Sequence, residues 1–544
     1  MKDLYDSLGF PWLKSFVLPL LFLGVYFTQA YAVVDMPAMF SDGMVLQRGK
    51  EVPVWGWAKA GTAAHVVFNG QELSTEADSN GKWMLKLSPM AASKKDLTME
   101  ITVGSEKKSI KNILIGEVWL CTGQSNMAWT MSASAKASKN PKWNVIPKFV
   151  QKEIDTAKDP FLRHIKVPNA VSLHQPLKNF KGEWMDVQPS QTGSFTATGY
   201  WFAKSLREAL DVPVGLLSCN YGGTKVQAWI PKSGFMENQG LKLIYNREMA
   251  KLEKNTAKWN PQKLKDWQAE FSKLKDPEKK RAMWRKRPTE PVKNKHLPST
   301  LYNAMMHALV PYSIQGAIWY QGEGNAGYYA DQYADHLSTM VSSWRKAWGQ
   351  GDFSFYFAQL ANFKEVNEEP LQDNGWATVC NQQRLAMAIP KSGMAVLNDI
   401  GEAEDIHPRN KVEVGQRLAL WALAKDYGQK NTVYSGPLYR ESHFKADKVT
   451  IVFDSVEDGL MVGDKKPLSK AEELHAPLKG FQICGKDGQW KWAKAKIVSK
   501  NSVVVYHPNV SEPTEVRYAW APNPPSINLY NKSGLPTSIF KARK

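Results

Sequence analysis

The sequence predicts an α/β protein, a central parallel-sheet domain with all-β regions before and after it. Three observations carry this. Between about residues 111 and 430, short wholly apolar runs alternate with helix-period stretches. That is the pattern of strands covered on both faces by crossover helices. Before residue 110 and after 432, strand-length runs follow one another with turn residues between them and no helical period. The chain of 544 residues also exceeds what one ordinary core supports, so two or three domains are expected.

Residues 1–32 read as an export signal. Lys14 precedes an apolar run at 16–27, and Ala30-Tyr31-Ala32 is a small-residue cleavage site. The run is shorter than the roughly 20 residues a membrane span needs. The mature chain is therefore expected to be periplasmic or extracellular and free of the membrane. Residues 33–110 are expected to form a small β-sandwich. Strand-like runs lie at 52–57, 64–68, 101–103 and 113–115, and Asn69-Gly70 and Asn80-Gly81 suit tight hairpins.

Residues 111–431 hold the α/β domain. Core strands are expected at 118–121, 214–219, 316–320, 355–358 and 394–397, with helices at 199–210 and 412–427. The segment 241–296 breaks the alternation. It carries 17 Lys/Arg against 7 Asp/Glu, with Trp259, Trp267, Phe271 and Trp284 among them. It reads as an amphipathic helical insertion with a basic face. Residues 432–544 return to β pattern, with strands at 449–453 and 503–506 and a surface loop at 522–530.

The formal charge is +18, and the insertion supplies about half of it. No nucleic-acid-binding module accompanies that charge, so acidic glycans fit it better than nucleic acid does. The cysteines at 121, 219, 380 and 484 form no dense disulfide framework, and Cys121 and Cys219 end apolar runs as buried thiols would. No CxxC, H-E-x-x-H, Walker or dinucleotide glycine motif is present, so neither a metal nor a cofactor is expected.

Three blocks carry chemistry. Gly123-Gln124-Ser125-Asn126-Met127 follows an apolar strand and places a serine at a sharp turn. Trp319-Tyr320-Gln321-Gly322-Glu323-Gly324-Asn325 follows another strand, and Asp405-Ile406-His407-Pro408-Arg409-Asn410-Lys411 supplies a late histidine. Serine needs a base to become a nucleophile, and imidazole near neutral pH can take and return a proton. A carboxylate that orients His407 completes the set, with Asp405 the direct choice and Asp399 open as well. Backbone N–H groups of Ser125 and Gly223 suit an oxyanion site.

These blocks, in this order, resemble the sialate O-acetylesterase branch of the SGNH (GDSL-like) hydrolases. The resemblance spans nearly all of the mature chain. It includes Met44-Val45-Leu46-Gln47-Arg48, Val54-Trp55-Gly56-Trp57, Gly222-Gly223-Thr224 with Ala228-Trp229, Leu301-Tyr302-Asn303-Ala304-Met305 and Asn528-Leu529-Tyr530-Asn531. It implies a flavodoxin-like SGNH fold and a serine carbohydrate esterase that works without a metal. The implied substrate is an O-acetylated carbohydrate, O-acetylated sialic acid first, with acetylated xylan or another plant or algal polysaccharide as the alternative. It also implies a side-chain amide in the oxyanion site, for which Gln321 and Asn325 both qualify. Glu323 would order the Ser125 loop. Many SGNH enzymes place the acid three residues before the histidine, which brings in Glu404. The branch often has Glu before Ala228-Trp229, where this chain has Gln227. Two competing readings are an inactive carbohydrate-binding protein and a glycosidase using Glu323 and Asp405 as paired carboxylates.

Overall fold

The eighteen-residue strand β7 (Glu106–Gly123) organises the molecule. Its first residues, Glu-Lys-Lys-Ser-Ile-Lys, alternate between solvent and core, whereas everything from Ile113 onward is buried. The strand belongs to two surroundings, and its composition changes where they meet. The structure is a computed structural model that describes residues 34–372 and 374–544. The expected signal segment, 1–32, lies outside the described residues.

In the N-terminal part the strands are β1 (Val45–Gln47), β2 (Val52–Trp57), β3 (Ala63–Phe68), β4 (Gln71–Glu76), β5 (Lys82–Leu87) and β6 (Ser93–Val103). β6 pairs antiparallel with the first half of β7, and β3 and β4 extend that sheet, while β2 and β5 form a separate two-stranded ribbon. β1 pairs parallel with β7, Val45 opposite Leu114. The region is joined to the rest by side chains as well. Tyr312 donates its hydroxyl to Val45 O at 2.8 Å, and its ring lies 5.4 Å from Phe40, which packs edge-on to Trp55 at 4.8 Å.

The central sheet adds β8 (Asp159–Lys166), β9 (Met185–Val187), β10 (Val214–Asn220), β11 (Gly316–Tyr320), β12 (Ser354–Ala358) and β13 (Ser392–Ala395) in the order β13-β12-β11-β7-β10-β8-β9. β7, β10, β11 and β12 are buried throughout this sheet, as a strand covered on both faces requires. The helices Ala197–Leu210 and Lys411–Lys425 pack against each other.

The sheet is mixed, which corrects the expectation of a wholly parallel one. All pairings from β13 to β8 are parallel, but β9 runs antiparallel to β8. The link between β8 and β9 contains no helix, so β9 has no crossover to bring it round parallel. Counted along the chain, the six parallel strands β8-β10-β7-β11-β12-β13 run 2-3-1-4-5-6, and the order turns back on itself between β7 and β11. In such sheets ligands gather beyond the strands' carboxyl ends at the β7/β11 switch point.

The insertion forms three helices, Gln239–Ala257, Gln262–Lys273 and Pro277–Trp284. Trp267 stacks on Phe271 at 4.8 Å, Trp284 closes the cluster, and Trp267 Nε1 donates to Met283 O. Trp267 is the buried member of this ring cluster, while Trp284 remains exposed. Residues 438–543 form three antiparallel sheets of four, four and three strands. Their loop at 522–523 bonds the segment after β12, Phe363 N–H to Pro522 O and Asn362 Nδ2 to Asn523 Oδ1. Residues 34–544 are one compact unit.

Candidate active site

Gly123 ends β7 at φ +133°, and a Cβ there would lie 2.3 Å from Tyr320 O of β11. Only glycine fits that close passage between the two strand ends. The chain then turns into a single helical turn, Ser125–Ala128, with Ser125 half-buried and the Gln124 N–H bonded to Tyr320 O. Ser125 thus emerges at the switch point.

His407 Nε2 lies 2.9 Å from Ser125 Oγ. Its other nitrogen, Nδ1, lies 3.4 Å from Asp405 Oδ1, and the same oxygen accepts the His407 backbone N–H at 2.9 Å. With the proton on Nδ1 the ring faces Asp405 with a donor, and Nε2 accepts from the serine hydroxyl. Arg409 donates to Asp405 Oδ2 at 2.6 Å and to His407 O at 3.2 Å. Trp129 stacks flat on the imidazole, with centroids 4.5 Å apart and planes 7° apart. The ring is therefore fixed in plane by Asp405 and out of plane by Trp129.

The electrostatics favour a neutral imidazole. Burial pushes His407 below its ordinary value, the Lys411 ammonium pushes the same way, and Asp405 opposes them. Burial alone would raise Asp405, but the Arg409 hydrogen bond and the His407 N–H outweigh it, and Asp405 sits below the usual carboxylate range. Asp405 is ionised at neutral pH and His407 is ready to accept a proton.

Beneath the pair lies a buried polar bridge that ties three loops together. Asn126 Nδ2 donates to Glu323 Oε1 and to Ile406 O, while Asn126 Oδ1 accepts from Lys411 Nζ at 2.7 Å. Lys411 also donates to Pro408 O at 2.6 Å. Burial lowers its ammonium to about 7, against the raising pull of Glu323, Glu402 and Asp405. Burial likewise raises Glu323, and the Asn126 amide opposes it.

The remaining site candidates are placed as follows. Glu404 is exposed. Asp399 is held bidentate by Arg417 at 2.6 and 2.9 Å, away from His407. Gln321 and Asn325 are fully buried, and both N–H groups of each amide are used. Gln321 Nε2 donates to Thr224 O and Asn325 Oδ1, and Asn325 Nδ2 donates to Gln227 Oε1 and Tyr328 O. They brace the loop after Gly222-Gly223-Thr224. That loop passes directly over the serine, since a Cβ on Gly222 would lie 3.4 Å from Ser125 Cβ. The N–H groups of Ser125, Gly222 and Gly223 take no partner among the described residues.

Sequence reasoning passed over Trp129, Asn126, Arg409 and Lys411. Three of these lie inside the two blocks already singled out, and adjacency to Ser125 or His407 was the available signal. All four cysteines are buried free thiols. Among the described residues no cluster of His, Cys, Asp and Glu is arranged to hold a metal ion, and no helix is long and apolar enough to cross a membrane.

Known proteins resemble this chain over most of its length. The family described as carbohydrate esterase, sialic acid-specific acetylesterase matches residues 115–265 and 281–424, more than half of the chain. The sialate O-acetylesterase of Rattus norvegicus is 26% identical over 546 residues, 92% of each chain. That of Homo sapiens is 25% identical, covering 92% of this chain and 91% of its own. Among solved structures, a carbohydrate acetylesterase from Xanthomonas citri is 32% identical with a TM-score of 0.75, covering 94% of this chain and 100% of the other. The mixed α/β architecture and these relatives define a carbohydrate esterase, a carboxylic ester hydrolase. The chain belongs to the sialic acid-specific acetylesterase family.

Proposed function

We propose that the protein is a secreted serine esterase that removes O-acetyl groups from sialic acids, with Ser125 as nucleophile, His407 as general base and acid, and Asp405 as the carboxylate that orients it. The observation that carries this reading is the 2.9 Å contact from Ser125 Oγ to His407 Nε2, backed by Asp405 on the far side of the ring. In the reaction Ser125 Oγ attacks the acetyl carbonyl carbon and its proton passes to Nε2. The oxyanion forms against the backbone N–H groups of Ser125 and Gly223. Collapse breaks the bond to the sugar oxygen, which takes the proton back from His407. Water gives a proton to His407 and attacks the acetyl-serine; the bond from the acyl carbon to Ser125 Oγ then breaks, Oγ takes that proton from His407, and acetate leaves. The run β10-β7-β11-β12-β13 at the centre of the sheet supports the SGNH assignment. The Lys14 and Ala30-Tyr31-Ala32 pattern supports export.

The deciding experiment measures acetate released from a panel of O-acetylated sialic acids and neutral acetylated sugars, with Ser125→Ala beside the wild type. Acetate from the sialic acids, absent in the variant, is the expected result. Acetate from acetylated xylan alone would transfer the activity to plant polysaccharide. Sugar release without acetate would make the protein a glycosidase.

A further inference from the structure

The loop over Ser125 is flanked by two lysines that the reaction does not use. Lys295, at the end of the insertion, donates to Gly222 O at 2.6 Å and lies 4.7 Å from the Tyr221 ring centre. A Cβ on Gly223 would be 3.6 Å from its Nζ, and a Cβ on Gly222 would be 3.4 Å from Ser125 Cβ. The Gly222–Gly223 segment thus separates this ammonium from the nucleophile. Lys225, directly after Thr224, holds its Nζ 3.2 Å from the Tyr328 ring centre.

Neither ammonium has a carboxylate in ion-pair contact among the described residues. Glu248, the carboxylate that acts on Lys225, is taken by Lys251 at 2.7 Å. Burial lowers both lysines. Burial and the two lysines together push the adjacent His296 imidazole down to about 4, so it stays neutral and the two positive fields overlap there. Two half-buried cations without a counterion carry a desolvation cost that an incoming anion relieves.

We infer that Lys295 forms an anion subsite that receives the carboxylate of the acidic sugar whose acetyl group Ser125 removes. This rests on the esterase reading above and adds to it the group that selects an acidic over a neutral acetylated sugar.

The test compares O-acetylated N-acetylneuraminic acid with its methyl ester, which replaces the charged carboxylate with a neutral group. For the wild type, KM should be lower for the acid by about tenfold, the scale of one charge-assisted hydrogen bond. Lys295→Met should bring the two KM values together, and Lys295→Arg should keep them apart. A wild type that treats acid and ester alike overturns the subsite. So does a Lys295→Met variant that loses the same factor on both, because Lys295 would then serve only to hold the Gly222 carbonyl. No turnover of the acid, with 4-nitrophenyl acetate still cleaved, also overturns it and leaves the esterase standing. Undiminished cleavage of 4-nitrophenyl acetate by Ser125→Ala would instead remove the esterase reading itself.

Discussion

On the proposed mechanism Ser125 and His407, 2.9 Å apart, act as a single proton-transfer pair. Ser125→Ala and His407→Ala should each lower kcat on 4-nitrophenyl acetate by about a million-fold, and the double variant should be no worse than either alone. Steady-state kinetics on the three variants checks this. Asp405→Asn should cost up to about ten-thousand-fold, because the ring loses the carboxylate that fixes its tautomer. The pH dependence follows from the groups around His407. Only the neutral imidazole accepts the serine proton, so kcat/KM should rise with pH through the His407 ionisation. Burial and the Lys411 charge hold that ionisation below 6.5, so the acid limb should fall on the acid side of it. Lys411→Met removes one of the three lowering influences, burial and the Arg409 charge being the others, and should move the limb to higher pH. It also leaves the buried Asn126 amide oxygen and the Pro408 carbonyl without their donor and should destabilise the fold by about 2 kcal/mol. A pH–rate profile and a denaturant titration read the two effects separately.

At the scale of elements, what the sequence made legible was local. The core strands at 118–121, 214–219, 316–320 and 355–358 stand out because a strand covered on both faces must be apolar without interruption. The serine turn stands out because Gly123 sits where only glycine fits. What was not legible depends on partners far along the chain. Asn126 meets Glu323, Ile406 and Lys411 across 197, 280 and 285 residues. Nothing in its neighbours announces a bridge between three loops. The same holds for β9, three residues long, whose direction is set by the helix-free link before it rather than by its own side chains. Gly123→Ala tests the turn directly. Its Cβ would meet Tyr320 O, and φ +133° is foreign to alanine. The variant should lose about 1–3 kcal/mol of stability, with activity falling as Ser125 shifts. Calorimetry together with esterase assay measures both.

At the scale of the molecule, the second and third insertion helices stand apart from the chemistry. Their aromatic rings pack on one another, and the family match skips residues 266–280 within them. Replacing 260–286 with a short linker should therefore leave cleavage of 4-nitrophenyl acetate within about twofold. The excised helices carry much of the basic surface. Any loss on acidic glycans should shrink as salt rises, because exposed charge acts over about 8 Å at physiological ionic strength. Assays at low and high salt on charged and neutral substrates decide this.

The length of β7 has a consequence for how the protein is made. Its first half pairs with β6, which has just left the ribosome, whereas the second half waits for β10 and β11, which begin at residues 214 and 316. Contacts between distant parts of a chain form late and leave strand edges open meanwhile. The strand that leads to Ser125 is thus gripped at one end while the other is still without neighbours. The N-terminal sheet serves as a jig on which the catalytic sheet is assembled, and a chain that began at residue 104 would have to build that sheet with nothing to hold its central strand.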